Sequence, residues 1–393
     1  MVQAMDAMNK LFRVTKLNFM FQKKNIHNLV FDFALIANQQ DLNNFSDLIT
    51  DDSIIALDTE FTRRTTYYPI LSTIQVALKN FDGSKIIVII DALQSIDLTD
   101  FINKINNPKI VKILHSPLQD LQIFYQISKK YPKNICDTQM MANFCEKDFN
   151  VGYSSLVKEI FNIEICKDMQ ISNWQNRPLN SSQIDYALVD VIFLHEIYEN
   201  FLEFLKKHHQ IEWFKEEMVD FINKSLDENN KNLMRHFSTR GKSKQQISKL
   251  NNLVLLREKF AQIQNVPREH LLKNEDVEKI AENFQYFDFN KINLKNIFVE
   301  EIKKALTINE NFLDNNEDFF MNDNHKEIAN QIKSLIAKIA KKYKIKEQFL
   351  LSSTQIKNIV KVNKIKDEVN NWRYEILGKE IENLLKKYEN NCS

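Results

Sequence analysis

Two carboxylates set two residues apart, Asp58 and Glu60, close the segment Ser53-Ile-Ile-Ala-Leu-Asp-Thr-Glu-Phe61. An apolar run leading straight into acids describes a strand with both faces buried. Successive strand side chains point to opposite faces, so Asp58 and Glu60 leave the same face. Crowded carboxylates repel, and one of the pair takes up a proton unless a hard cation such as Mg²⁺ or Mn²⁺ binds both. A bare Asp-x-Glu also describes an acidic turn in water, so the metal reading needs further acids from other elements.

Asp120 falls in the first turn of a helix that follows the apolar strand Ile110-Val-Lys-Ile-Leu114, close to His115 and Ser116. The carboxyl end of a strand is where α/β sheets place their sites, although an acid there also suits the helix dipole. Tyr186 and Asp190 lie four apart on the helical run Gln183–Phe193 and share a face. A tyrosine hydroxyl beside a metal-bound carboxylate can orient or help deprotonate an attacking water; half-buried packing is its ordinary role. A two-metal phosphoryl-transfer site needs about four carboxylates from separate elements, and Asp120 and Asp190 are the candidates to join Asp58 and Glu60.

The elements that must carry them read as a mixed α/β sheet. Phe31-Asp-Phe-Ala-Leu-Ile36 predicts a strand, Gln40–Leu48 a helix, and the Asp58 strand follows. Ser72–Leu78 and Lys85–Ile90 predict two more strands joined at Asp82-Gly83, which with the Asp58 strand make an antiparallel meander. After the helix Leu98–Ile105, the alternation of strand Ile110–Leu114, a helix opening at Pro117 with Ser116 as cap, and strand Asn134–Cys136 implies parallel strands with crossovers.

Beyond residue 180 only helical periodicity is found. Within it a shift of 79 positions places Leu253 on Ile332, Phe260 on Ile339, Val266 on Ile345 and Val277 on Ile356, with Asn274 and Ser353 as matching caps, and predicts a duplicated helical unit.

A chain of 393 residues allows two or three domains, and only four Gly and six Pro imply helices with short loops. Cys136, Cys145, Cys166 and Cys392 form no Cys-x-x-Cys pair and read as free thiols of a reducing compartment. No apolar run approaches the ~20 residues that span a membrane. The net charge of +1 divides into +4 over residues 1–27, −7 over 28–210 and +4 over 211–393. The acidic half fits metal-binding carboxylates and the basic half could approach a polyanion.

Asp58-Thr-Glu60, His115-x4-Asp120 and Tyr186-x3-Asp190, in this order and spacing, resemble the DEDDy group of 3′→5′ exonucleases, and within it the ribonuclease D family. The likeness extends through Phe61-Thr-Arg-Arg-Thr-Thr-Tyr-Tyr-Pro69, Ile74-Gln75, Asp137-Thr-Gln139, Gly152-Tyr153, Ser172-x-Trp174, Arg177-Pro-Leu179 and Gln183-x-x-Tyr-Ala187. It implies an RNase H-like mixed five-stranded sheet over residues 28–205, then all-helical HRDC-type domains at 211–300 and 320–393, the second more divergent because Lys346 stands where the first has Pro267. Residues 1–27 match nothing in that pattern and read as a mobile basic extension.

The same resemblance implies the chemistry. Two divalent ions, Mg²⁺ or Mn²⁺, would be held by Asp58, Glu60, Asp120 and Asp190, with Tyr186 aligning water and nucleoside 5′-monophosphates leaving. Phe61 is placed against the terminal base; Lys167 and Arg177 meet phosphates or pair with nearby acids; His115 is a structural hydrogen-bonder. The expected partner is RNA with a 3′ end, tRNA precursors above all, acted on by a cytoplasmic monomer with no membrane contact. Basic stretches at Asn229–Arg257 and Ile328–Lys346, which contain no acid, could guide it. Every acid lies at or before Asp190, so chemistry is expected to survive loss of residues 211–393. A DNA exonuclease using the same acids, and a non-catalytic RNA-binding scaffold, are the other two readings.

Overall fold

The structure, a computed structural model, describes residues 20–79, 85–166, 168–231, 233–289, 296–307 and 321–392. Its seven strands are β1 Gln22–Ile26, β2 Leu29–Ile36, β3 Ile54–Thr62, β4 Ile70–Lys79, β5 Lys85–Asp91, β6 Val111–Leu114 and β7 Ile135–Asp137. They form one mixed sheet in the order β1-β2-β5-β4-β3-β6-β7. β4 and β5 run antiparallel, Thr73 opposite Asp91; the turn expected at Asp82-Gly83 lies outside the described residues. β6 runs parallel to β3, Ala56 opposite Ile113, and β7 parallel to β6. Residues Ser72–Leu78 of β4 are buried throughout, as a central strand covered on both faces requires.

The mixed sheet is as expected, but it carries seven strands where five were anticipated. β2 is the strand expected at Phe31–Ile36; the unexpected one is β1, which pairs with β2 in a hairpin turned by His27 and Asn28 at φ 53° and 63°. Two successive left-handed residues give the turn whose twist suits adjoining strands. β2 then lies parallel to β5, Phe33 opposite Ile87. Residues 22–26, read from sequence as part of a mobile extension, are therefore an edge strand; residues 1–19 lie outside the described residues.

Helices α1 Gln39–Ser46, α2 Thr99–Ile105, α3 Leu118–Ser128, α4 Thr138–Phe144, α5 Tyr153–Phe161, α6 Ser181–Ile192 and α7 Leu194–Lys207 accompany the sheet. After the long α8 Ile211–Lys231 come α9 Lys244–Gln264, α10 Arg268–Leu271, α11 Asn274–Asn283 and α12 Asn296–Thr307. The last four are α13 Asp323–Tyr343, α14 Glu347–Leu350, α15 Ser353–Val362 and α16 Asn371–Cys392. The shift of 79 carries α9, α10 and α11 onto α13, α14 and α15 residue for residue at both ends. Asn265 and Lys344, the left-handed residues that close α9 and α13, obey it too. The caps lie one residue before those expected: Ser352 accepts from Gln355 N, while Lys273 contributes no side-chain bond. Asn274 instead accepts a hydrogen bond from Arg257 Nη1 at 2.8 Å. Among the described residues no helix is long and apolar enough to cross a membrane.

The chain divides into two compact units, and not at the boundaries the sequence suggested. One contains Thr62–Ile70 with Phe221–Phe320, around a core that includes Leu250, Val254, Val277, Ile280, Phe298 and Ile302. The other contains the sheet and also everything from Met321 onward. In this sheet unit Phe144 of α4, fully buried, meets Phe349 edge-on at 4.9 Å and Trp372 at 5.4 Å. Trp213 of α8 stacks on Trp372 at 5.4 Å. Glu217 accepts hydrogen bonds from Trp372 Nε1 at 2.9 Å, Asn370 Nδ2 at 2.8 Å and both terminal nitrogens of Arg373. Lys344 and Lys346, from the second basic stretch, face Glu146 and Asp148 at 3.5 and 3.6 Å. That part of the stretch is engaged with protein.

Candidate active site

β3 presents Asp58 and Glu60 on one face, and α6 brings Asp190 to them: one carboxylate oxygen from each of the three lies within 4.8 Å of the others. Asp120, in the first turn of α3 and buried, is set apart by accepting the Thr59 hydroxyl. Its charge still reaches the group. Burial above all, then the charges of Asp190, Asp120 and Glu60, hold Asp58 well above the usual carboxylate range. Burial followed by Asp190 and Asp120 pushes Glu60 up to about 9. Burial takes Asp190 to about 8 against the pull of its Tyr186 hydrogen bond, and Asp120 to about 6 against the Thr59 bond. A buried, all-oxygen, mutually repelling set of this kind fits a hard divalent cation, which relieves the repulsion that protons otherwise relieve.

The sign of the pH dependence follows. Carboxyls whose folded values lie above their unfolded ones bind protons more tightly when folded. Stability of the metal-free protein should therefore fall as pH rises from the ordinary carboxylate range through about 6, 8 and 9, the values of Asp120, Asp190 and Glu60. Binding of Mg²⁺ must expel those protons, so its affinity should rise over the same window. Calorimetric titration in two buffers of different ionisation enthalpy reads the released protons; no release at pH 7 would contradict this electrostatic account.

Tyr186 donates its hydroxyl to Asp190, and burial together with the surrounding acids raises its own ionisation far above the usual phenol range. The frame around it explains motifs that were only a pattern in the sequence. Asn180 and Gln183 cap α6 reciprocally, Gln183 N to Asn180 Oδ1 at 2.9 Å and Asn180 N to Gln183 Oε1 at 3.1 Å. The Gln183 amide then donates to Ser172 Oγ and to Asn173 O, both at 3.2 Å. Buried Trp174 lies 6.0 Å from the Tyr186 ring. Tyr153 donates to Val189 O at 2.8 Å, one residue before Asp190, and Lys24 of β1 ties the exposed side of α6 through Ser181 Oγ at 2.9 Å and Asp185 at 2.6 Å.

Three sequence expectations fare differently. His115 is a structural hydrogen-bonder: Nδ1 meets Thr138 Oγ1 at 2.9 Å and Nε2 meets Val151 O at 3.1 Å, and burial lowers it to about 4. Arg177 is not free for a phosphate. Its Nε and Nη2 grip Asp91 at 2.6 Å each, Nη1 donates to Trp174 O and Asn176 O, and Nη2 also to Ser72 O, so all five N–H groups are used. Ser116 does not cap α3: Pro117 holds that position, and the Ser116 N–H goes to Asp137 Oδ1 at 2.8 Å. Phe61 is half-buried at the end of β3, and Lys167 lies outside the described residues. Sequence reasoning missed Asp91 and Thr59; the acid closing the apolar strand Lys85–Ile90 was the available signal for the first, and none existed for the second.

A family model described as 3′-5′ exonuclease matches residues 14–206. Ribonuclease D of Bartonella henselae is 26% identical over 372 residues, spanning 90% of this chain and 90% of that protein. Ribonuclease D of Gluconacetobacter diazotrophicus is 31% identical over 252 residues, 64% and 63% of the two chains. The chain is similar to ribonuclease D along most of its length. It is a metal-dependent 3′→5′ exoribonuclease. Among solved structures, Escherichia coli RNase D, described as an exoribonuclease involved in structured RNA processing, superposes with a TM-score of 0.74 at 24% identity, covering 91% of this chain and 99% of that one. The ribonuclease D fold thus extends through the helical repeats.

Proposed function

We propose that this ribonuclease D-like chain trims the 3′ ends of small structured RNAs, tRNA precursors among them, as a cytoplasmic monomer, with Asp58, Glu60, Asp120 and Asp190 holding two Mg²⁺ or Mn²⁺ ions. The observation that carries the reading is the convergence of Asp58, Glu60 and Asp190 within 4.8 Å beside a tyrosine that already donates to Asp190. Bound ions supply the charge that lowers the pKa of an attacking water and stabilises the leaving 3′ oxygen. The chain's own contribution is position. Tyr186, held by Trp174 and the Gln183 cap, keeps an O–H at Asp190 where it can align a water with the terminal phosphodiester. Asp120, which its Thr59 bond helps keep charged to lower pH than Asp190 or Glu60, supplies the second side of the donor set. Phe61 at the end of β3 offers an aromatic face to the terminal base, which any base can stack upon.

The domain reading proposed with it is a 3′→5′ exonuclease domain over residues 20–205 and two HRDC-type units, α9–α12 and α13–α16. The first carries RNA contacts; the second braces the sheet. Incubating the purified protein with end-labelled tRNA-like RNA and with DNA of matched sequence, with Mg²⁺ and with a chelator, tests the reading. Metal-dependent release of 5′-mononucleotides from RNA in preference to DNA is expected. Equal turnover of both polymers would shift the assignment to a DNA exonuclease.

Tyr186→Phe removes one hydroxyl and almost no packing area. Turnover should fall on the order of 10²-fold, the scale of general acid–base contributions, with the denaturation midpoint nearly unchanged. A variant of full activity but lowered stability would make Tyr186 a packing residue.

A further inference from the structure

A second charged site lies wholly within the helical unit. Thr62–Ile70, the segment that follows Glu60-Phe61 along the chain, packs there around buried Tyr67. The Tyr67 hydroxyl donates to Glu258 and accepts from Gln262 Nε2 at 3.1 Å. Two guanidinium groups lie over its ring, Arg63 at 5.4 Å and Arg268 at 5.2 Å from the centroid. Beside it is a cavity of about 290 Å³ lined by Arg63, Tyr67, His236, Arg257, Arg268 and Glu269, among others.

The charges around this cavity do not cancel. Arg268 is satisfied by Glu258, which it grips through Nε and through Nη2 at 2.6 Å. Arg257 is only 3% exposed, yet its nearest carboxylate, Glu269, is 4.0 Å away on a side chain 53% exposed. Arg257 Nη1 donates to Leu272 O at 2.9 Å and to Asn274 at 2.8 Å, while its buried Nε has no partner. Arg63 uses only Nε on protein, donating to Tyr67 O at 2.6 Å; no described residue accepts from its Nη groups. Three guanidinium groups thus face two carboxylates, leaving one positive charge over and a fork of donors unspent. His236 accepts from Arg235 Nε at 3.1 Å through Nε2, which puts its ring proton on Nδ1 and adds a further donor. Burying an arginine without a matched counter-ion costs stability, and planar guanidinium forks suit phosphate oxygens.

We propose that this cavity is a phosphate-binding site of the enzyme, formed by Arg63, Arg257, Arg268 and His236. It rests on the exoribonuclease reading, because the phosphate then comes from the RNA strand or from the nucleotide set free. Arg63, exposed and three residues after Glu60, is the group that reaches out to it, and Arg257 is the fixed charge beneath.

The test uses the full chain and Arg63→Gln, a surface change that leaves the core intact, with Arg63→Lys as the variant that keeps charge and loses the fork. Binding of a 20-nucleotide single-stranded RNA is measured in chelator at several salt concentrations, and binding of a nucleoside 5′-monophosphate in a parallel arm. For an RNA phosphate, Arg63→Gln weakens RNA binding on the order of 5- to 10-fold and lowers the logarithmic salt slope by about 0.7 to 1, with Arg63→Lys between it and the parent. For the released nucleotide, the loss is confined to the monophosphate arm. Parental affinities and slopes in both arms overturn the proposal. Metal-dependent hydrolysis by the parent is followed alongside: its absence defeats the exoribonuclease reading, whereas its presence with unaltered binding defeats only this site.

Discussion

Asp58→Asn is expected to abolish hydrolysis while making the metal-free protein more resistant to heat. The substitution keeps the shape of the side chain and withdraws the charge at the centre of the group, the one that Asp190, Asp120 and Glu60 all disfavour. Without metal those like charges only repel, so losing one relieves the folded state. With metal, on the proposed ligand set, the same loss would remove a ligand, and the transition-state charge stabilisation forfeited, several kcal/mol, would correspond to roughly 10³-fold or more in rate. Added Mg²⁺ should raise the melting temperature of the parent, because a ligand bound only by the folded state stabilises it, and should do little for the variant. Turnover equal to the parent's, or an undiminished response to Mg²⁺, would remove Asp58 from the site.

Deletion of residues 321–393 should cost the sheet unit its fold and not merely some RNA affinity. Trp372 and Phe349 cover Phe144 and Trp213; aromatic side chains bury about 150–250 Å² each, worth roughly 4–6 kcal/mol apiece at 25 cal/mol per Å². Arg373 is the counter-ion of Glu217, side chains 11% and 12% exposed, and removing one partner of a buried pair costs about 3–5 kcal/mol. The total rivals the 5–15 kcal/mol that holds a domain folded. Trp372→Ala, at about 3–5 kcal/mol, should give a graded version of the same loss. Far-ultraviolet dichroism and chemical denaturation of the truncated protein decide the matter. A cooperative transition at the parental midpoint, with parental turnover on a short unstructured RNA, would restore the reading in which chemistry ends at Asp190.

The proposed site was legible because its chemistry is local: Asp58 and Glu60 share a strand face, and Tyr186 and Asp190 share a helix face, by spacing alone. The duplicated helices were legible for the same reason, since a shift in register preserves apolar period. What escaped was pairing across long stretches of chain. Arg177 with Asp91 and Glu217 with Arg373 join elements 86 and 156 residues apart, and nothing in local spacing names such partners. The hairpin escaped because its turn is His27-Asn28 in place of a glycine pair. The packing of Thr62–Ile70 around Tyr67 was invisible too: the sequence displays those residues as a motif attached to the acids, while the fold spends them on Glu258 and Arg268.

Phe144 and Trp372 are 228 positions apart, and a ribosome adding about 5–20 residues per second needs roughly ten to fifty seconds to pass from one to the other. Once Asp190 has been added, and for the rest of that interval, a growing chain contains every acid from Asp58 to Asp190 but not the helices that cover α4 and neutralise Glu217. Nascent chains arrested near residue 320 should therefore be protease-sensitive and unable to degrade RNA, whereas chains released at full length should be neither. The order of synthesis would then act as a safety catch, keeping a nuclease born beside messenger and transfer RNA harmless until its last helix has left the exit tunnel.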